Sequence, residues 1–396
     1  MDAELKEKLT RRGLVRAGLI CGGALLACFD EIAWAKPSLE QEKGAFGGGR
    51  LLGLVDFADE RAVQMDTAFG AELDGRLYTD LSTLATSDPV TPTAKFYIRT
   101  RASGLLPEAK SWQVRVDGLA RQPSRPPIAD LKRAAKPMGL HLMECAGNVR
   151  QARFGMISVG NWAGVPLTEI LDNAKVKPGA TRVLISGFDR YVAASASSVP
   201  GASWVFTLEE LKDAGAFLAT EMNGQPLTRD HGAPVRLVVP GWYGCTCIKW
   251  VDSITFLDDK AEATSQMQEY AARTLQKGTP RLAKDFLPAV IDQAAMPIRV
   301  EKWLVAGKVR YRVTGIAWGG THPVKELEIR FNPDEDYVRV ENFSQVKNDP
   351  WTLWSHTWSP KAPGMYSIRL AAKEPLVQAR KLDSGYYVRS VEITEV

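Results

Sequence analysis

The chain has 396 residues, 45% hydrophobic and 24% charged, the composition of an ordinary folded protein long enough for two domains. Its 50 basic and 46 acidic residues leave a formal charge of +4. That balance argues against nucleic acid, while a mildly basic surface suits a small anion or an acidic partner.

Arg11 and Arg12 precede an uncharged, small-residue stretch (residues 17–29) that is too short and glycine-rich to span a bilayer comfortably. With Ala33, Trp34 and Ala35 downstream, residues 1–35 are expected to be a twin-arginine export signal and the mature protein to be periplasmic. A permanent amphipathic anchor and lipidation at Cys28 are the alternatives. Export in the folded state suits a protein that takes up a cofactor before it leaves the cytoplasm. Cleavage would remove Cys21 and Cys28 and leave Cys145, Cys245 and Cys247, an odd number that cannot form a fully paired disulfide framework.

Residues 36–50, with Gly44 and a triple glycine at 47–49, are expected to be a linker. From Lys95 onward come short β-like runs, KFYIRTRA, WQVRVDG, RVLISGF, PVRLVVPGW and CIKWVDSITF, separated by turn residues. Helical patterns lie between them at residues 167–174 and 208–214. The second opens at Thr207, with Glu209 and Glu210 in its first turn where acidic groups suit the helix dipole. A mixed α+β domain is therefore expected over residues 51–264. A Gln-, Ala- and Pro-containing connection follows at 265–297. Alternating strands over 298–396, including KVRYRVTGIAW and GMYSIRLAA, are consistent with an immunoglobulin-like β-sandwich that contains no cysteine.

Three patches carry the chemistry: FYIRTRA (96–102), ECAGNVR (144–150) and RDHGAPVRLVVPGWYGCTCIKW (229–250). They combine a solitary cysteine, Cys145, with arginines, a histidine and a lysine near Gly and Pro turns. The flanking Glu144 and Asn148 suggest a thiolate context for that sulfur. This combination suits a metal held by sulfur and an anion held by guanidinium groups. One protein sulfur is too few for zinc, so a cofactor bringing its own sulfurs would complete the shell, and its phosphate would account for Arg229, His231, Arg236 and Lys249. Each residue also has a plainer reading. Cys145 could be a small buried hydrophobe, His231 a turn cap, Arg236 and Lys249 solvated strand edges, and Cys245 with Cys247 packing residues.

Taken together, the patches resemble the sulfite oxidase family of molybdenum enzymes, from about residue 96 to residue 297. The strands that follow resemble that family's C-terminal dimerisation domain. The resemblance implies Cys145 as the molybdenum ligand, with a molybdopterin dithiolene completing the shell. It implies a cofactor site of Tyr97, Arg99, Arg101, Asp189, His231, Arg236, Cys247 and Lys249. Arg99, Arg150 and Tyr270 would serve the substrate, arginine forks holding an oxyanion in a preorganised field. Arg380 and Lys381 are the candidates for a C-terminal-domain cation that reaches the substrate. Val149, Cys247 and Arg101 depart from the family's pattern, standing where an arginine, a histidine or serine, and a histidine are common.

The resemblance implies oxidation of a small sulfur oxyanion such as sulfite by oxygen-atom transfer. Since no CxxCH haem signature is present, a c-type cytochrome or a partner subunit would accept the electrons, in a homodimer or a heterodimer. The alternatives are reduction of a sulfoxide or N-oxide, dehydrogenation of a sulfur-carrier thiol on the same cofactor, and a cofactor-free binding protein.

Overall fold

The computed structural model describes residues 46, 48–58, 66–69, 74–85, 88–100, 109–188, 202–344, 350–374 and 377–396. Two compact units divide the chain, Met1–Lys43 and Gly44–Val396, and the first lies outside the described residues. The arginine pair, Cys28, Arg101 and Asp189 also fall outside them.

The second unit is mostly sheet. Its described α-helices run from four residues, Arg380–Asp383, to eight, Leu167–Ala174, so helix contributes less than an α+β reading expects. The longest buries Leu167, Ile170, Leu171 and Ala174, the spacing of one helical face, and ends where Lys175 turns left-handed. Leu208–Asp213 starts at Thr207 with a complete capping box: the Thr207 hydroxyl accepts from the Glu210 N–H and the Glu210 carboxylate accepts from the Thr207 N–H.

Three sheets position the site. In the first, Lys136–Glu144 pairs with Ile157–Pro166, which pairs with Phe217–Met222; the last also takes Gln225–Pro226 and Arg236–Val238. In the second, Val251–Leu257 lies between Arg115–Gly118, to which it is parallel, and Arg182–Gly187, which continues to Ser203–Thr207. Strands such as Ile157–Pro166 are apolar and buried along nearly their whole length because both faces are covered.

The third sheet runs Arg50–Val55, Ala294–Val305, Lys308–Trp318, Thr352–Trp358. Its central hairpin turns on Ala306 and Gly307, both at positive φ, the conformation that a two-residue turn of this twist requires. A further sheet joins Val338–Arg339, Leu327–Arg330, Gly364–Ala372 and Arg389–Ile393. Strand pairing does not follow the chain-order division at 264 and 298, since Arg50–Val55 adds to a sheet built from residues beyond 293. In that sheet Glu301 is fully buried and accepts from Arg299, Trp303 and Arg312. Burial pushes its pKa up, but the two guanidinium partners outweigh that and hold it below the usual carboxylate range.

Candidate active site

Cys145 is the first residue after the strand Lys136–Glu144, and the turn it opens is stitched by Asn148. The Cys145 N–H donates to the Met156 carbonyl at 2.9 Å, and the Cys145 carbonyl accepts from the Asn148 N–H at 2.9 Å. The Asn148 side chain accepts from the Met156 N–H (3.0 Å) and donates to Glu144 Oε1 (3.3 Å). Those bonds account for the ECAGN pattern: a carboxylate and a carboxamide three positions beyond the cysteine lock its loop.

Glu144 has no exposed surface, and its second oxygen accepts from Trp318 Nε1 at 2.8 Å. Burial pushes its pKa up, against Lys381, Trp318 and Asn148, which favour the charged form. A strand of the third sheet thus reaches the residue beside the cysteine. Gly244 must be small for the same reason: a Cβ there would lie 2.7 Å from the Tyr97 hydroxyl, and its N–H donates to the Glu144 carbonyl at 2.6 Å.

Cys145 opens into a cleft whose wall holds Tyr97, Arg99, His231, Arg236, Cys247, Lys249 and Tyr270, all singled out from sequence. Arg236 is buried; its guanidinium donates to the carbonyls of His231 and Cys247, 3.0 Å each, and contacts Met143 Sδ at 3.1 Å. Lys249 Nζ donates to the carbonyls of Arg99 and Asp230, 3.0 Å each, tying two of the patches together. Cys247 Sγ accepts from the Val239 N–H at 3.4 Å. Cys145, Cys245 and Cys247 are all free thiols.

Burial pushes the Cys145 pKa up, opposed by the Gly147 backbone, Arg99 and Arg273. The protein alone therefore favours the thiol, unlike the thiolate context expected from sequence. A coordinated metal would reverse this, since the thiolate is the form that binds a metal.

His231 accepts from the Thr228 hydroxyl at Nδ1 (2.7 Å) and donates from Nε2 to the Phe96 carbonyl (3.2 Å), a neutral tautomer. Burial, with Arg236 and Lys249 adding to it, pushes its pKa down to about 4. An unfolded histidine titrates near 6.5, so stability is full above that pH and falls as pH drops toward 4, by about 1.4 kcal/mol per pH unit. Thermal melting between pH 7 and 5 should show the decline, and His231→Asn should flatten it.

Arg150 does not line the cleft. Its Nη2 donates to the Tyr386 carbonyl at 3.3 Å, and its guanidinium lies 5.8 Å from the Phe154 ring centroid. The Tyr386 hydroxyl in turn donates to the Asn148 carbonyl at 2.7 Å, so Arg150 joins the C-terminal segment to the Cys145 turn. Arg380 is likewise engaged elsewhere, paired with Asp292 at 2.9 Å. Lys381 Nζ lies 4.6 Å from the Tyr243 ring centroid and 5.6 Å from that of Tyr386.

Thr100, Met143, Asp230, Cys245, Gln266 and Glu269 also line the cleft and were not singled out as site residues. The expected connection at 265–297 begins with the helix Ser265–Tyr270, which carries two of them. Their signal was available: 266, 269 and 270 share one helical face by the i, i+3, i+4 spacing. Gln266 Nε2 donates to the Cys245 carbonyl, fixing that helix to the cleft wall.

The donor set fits a large polar cofactor held at a metal by one sulfur. Arg236 Nε and Thr100 Oγ1 are buried in the wall and have no hydrogen-bond partner among the described residues, which a bound polar group would satisfy. Comparison with known proteins agrees. The oxidoreductase molybdopterin binding domain model matches residues 103–265. Human mitochondrial sulfite oxidase is 27% identical over 267 residues, 62% of this chain and 47% of that protein. The sulfite oxidase of Arabidopsis thaliana is 29% identical over 281 residues, 64% of this chain and 70% of that protein.

The chain carries an oxidoreductase molybdopterin binding domain and is similar to the sulfite oxidases. It spans about half the length of the mitochondrial proteins it matches. The sulfane dehydrogenase SoxCD of Paracoccus pantotrophus shares the fold, with a TM-score of 0.62 over 85% of this chain and 90% of that one at 22% identity.

With that domain the protein takes molybdopterin, which would supply dithiolene sulfurs and a redox metal when bound. Cys145 would provide the protein sulfur. His231, Arg236, Lys249 and Thr100 would hold the polar and anionic parts, neutral His231 presenting no proton that titrates near pH 7. The rigid carbonyl and thioether contacts of Arg236 preorganise its guanidinium before anything binds.

Proposed function

We propose that the protein oxidises a small sulfur oxyanion such as sulfite by oxygen-atom transfer. One observation carries this: the cleft that holds the Cys145 sulfur also holds Arg99 and Tyr270. Arg99 favours the ionised forms of both Cys145 and Tyr270, so its positive charge acts within the cleft that all three line. At about 4 Å and an effective dielectric of about 20, such a charge attracts an anion by roughly 4 kcal/mol before desolvation is subtracted. Burial pushes the Tyr270 pKa up, so its hydroxyl stays a hydrogen-bond donor across the neutral range and can orient an anion's oxygen.

In this reading residues 1–35 export the folded protein to the periplasm. The strands over 298–396 form an immunoglobulin-like sandwich that mediates pairing in a homodimer or a heterodimer. Electrons leave to a c-type cytochrome or a partner subunit. The test is turnover of purified, cofactor-loaded protein: sulfite with cytochrome c should be oxidised, and a sulfoxide with a reduced viologen dye should not. Reversal of that pattern, or turnover of a sulfane substrate alone, overturns the proposal.

A further inference from the structure

A cation outside the set expected from sequence stands against the Cys145 turn. Arg273 lies in the 3₁₀ turn Ala272–Thr274, directly after the helix that carries Tyr270. The backbone there is locked to that helix. Thr274 Oγ1 donates to the carbonyls of Tyr270 (2.9 Å) and Ala271 (3.3 Å), the Gln276 N–H donates to Ala271, and Leu275 turns left-handed at φ 62°.

Two neighbours fix where the guanidinium sits. Its Cζ lies 5.3 Å from the Tyr270 ring centroid, within cation–π range. A Cβ added to Gly147 would lie 3.1 Å from Arg273 Nη1 and 3.8 Å from Cys145 Sγ, so the guanidinium and the sulfur flank the same glycine. The residue is exposed and, like Arg150, is not among the residues that line the cleft, so its place is given by its contacts with Tyr270 and the Gly147 turn. Arg150, by contrast, is directed to the Tyr386 carbonyl.

We propose that Arg273 is a substrate-binding residue that acts with Arg99 to seat a small oxyanion beside Cys145, and that Gly147 lacks a side chain so that this guanidinium can reach its place. The inference rests on the anionic substrate proposed above and names a second group that holds it. A guanidinium suits the task because its planar fork matches two oxygens of a tetrahedral or pyramidal oxyanion.

The test uses the full chain loaded with cofactor, with inorganic sulfate as a non-reacting probe read by calorimetry and sulfite as the turnover probe. Arg273→Met should weaken sulfate binding by about tenfold to a hundredfold, the range for loss of a charge-assisted hydrogen bond. The KM for sulfite should rise by a similar factor with kcat much less affected. Arg273→Lys should fall between, keeping the charge and losing the fork. The exposed site should leave the melting temperature unchanged, and Arg273→Gln replaces the methionine variant if that one does not fold. Sulfate affinity in the methionine or glutamine variant within about twofold of the parent overturns the proposal, as does a parent that binds no sulfate. If the parent binds sulfate through Arg273 but turns over no sulfite, the substrate reading fails and this inference stands.

Discussion

Cys145→Ser is expected to lower turnover of the cofactor-loaded enzyme by roughly a hundredfold or more while leaving the fold intact. Replacing groups that merely support a metal ligand costs about 10- to 100-fold, and removal of the protein's own sulfur donor should exceed that. The structural cost is small because serine is nearly isosteric and the turn is held by the Cys145 backbone and by Asn148, not by the thiol. X-ray absorption at the metal edge checks the prediction directly, since one sulfur should disappear from the coordination shell. Full activity, or an unchanged sulfur shell, would remove Cys145 from the metal site.

The second large effect is expected far along the chain, at Trp318. Trp318→Ala should cost about 3–5 kcal/mol from the cavity and lost burial. A further 1–3 kcal/mol follows because Glu144 Oε2 loses the donor it has at 2.8 Å inside a fully buried site. Against a typical total stability of about 5–15 kcal/mol, that is a large fraction, visible as a shifted denaturation midpoint. Trp318→Phe separates the two contributions by keeping most of the ring and removing only the N–H. It should cost about 1–3 kcal/mol and also lower turnover, because Glu144 adjoins Cys145. A phenylalanine variant with parental stability and activity would show that the Trp318 bond does not position the turn.

Much of the site was legible because its groups sit in short contiguous motifs. Cys145, Glu144 and Asn148 lie within five residues, and the hydrogen bonds that shape their turn are local. His231, Arg236 and Lys249 were legible as residue types near Gly and Pro turns, although only their convergence on one cleft shows that they act together. Arg150 illustrates the limit. Its spacing from Cys145 marked it for the cleft, yet its bond runs to Tyr386, 236 residues away. Arg273 carried no motif, and its place depends on how the helix Ser265–Tyr270 packs against the Cys145 turn.

By itself, then, the amino-acid order determined the local geometry: where strands and short helices begin, the cap at Thr207, and which residue types could bind a metal and an anion. Capping, periodicity and turn chemistry act over a few residues, so they can be read locally. Only the tertiary structure decided that Arg50–Val55 joins a sheet of residues beyond 293, and that Trp318 reaches Glu144 across 174 positions. It also decided that Arg99 and Arg236 line the cleft while Arg150 does not. Those outcomes follow from burial, because a carboxylate or guanidinium withdrawn from water must find its partner wherever the packing of distant strands provides one.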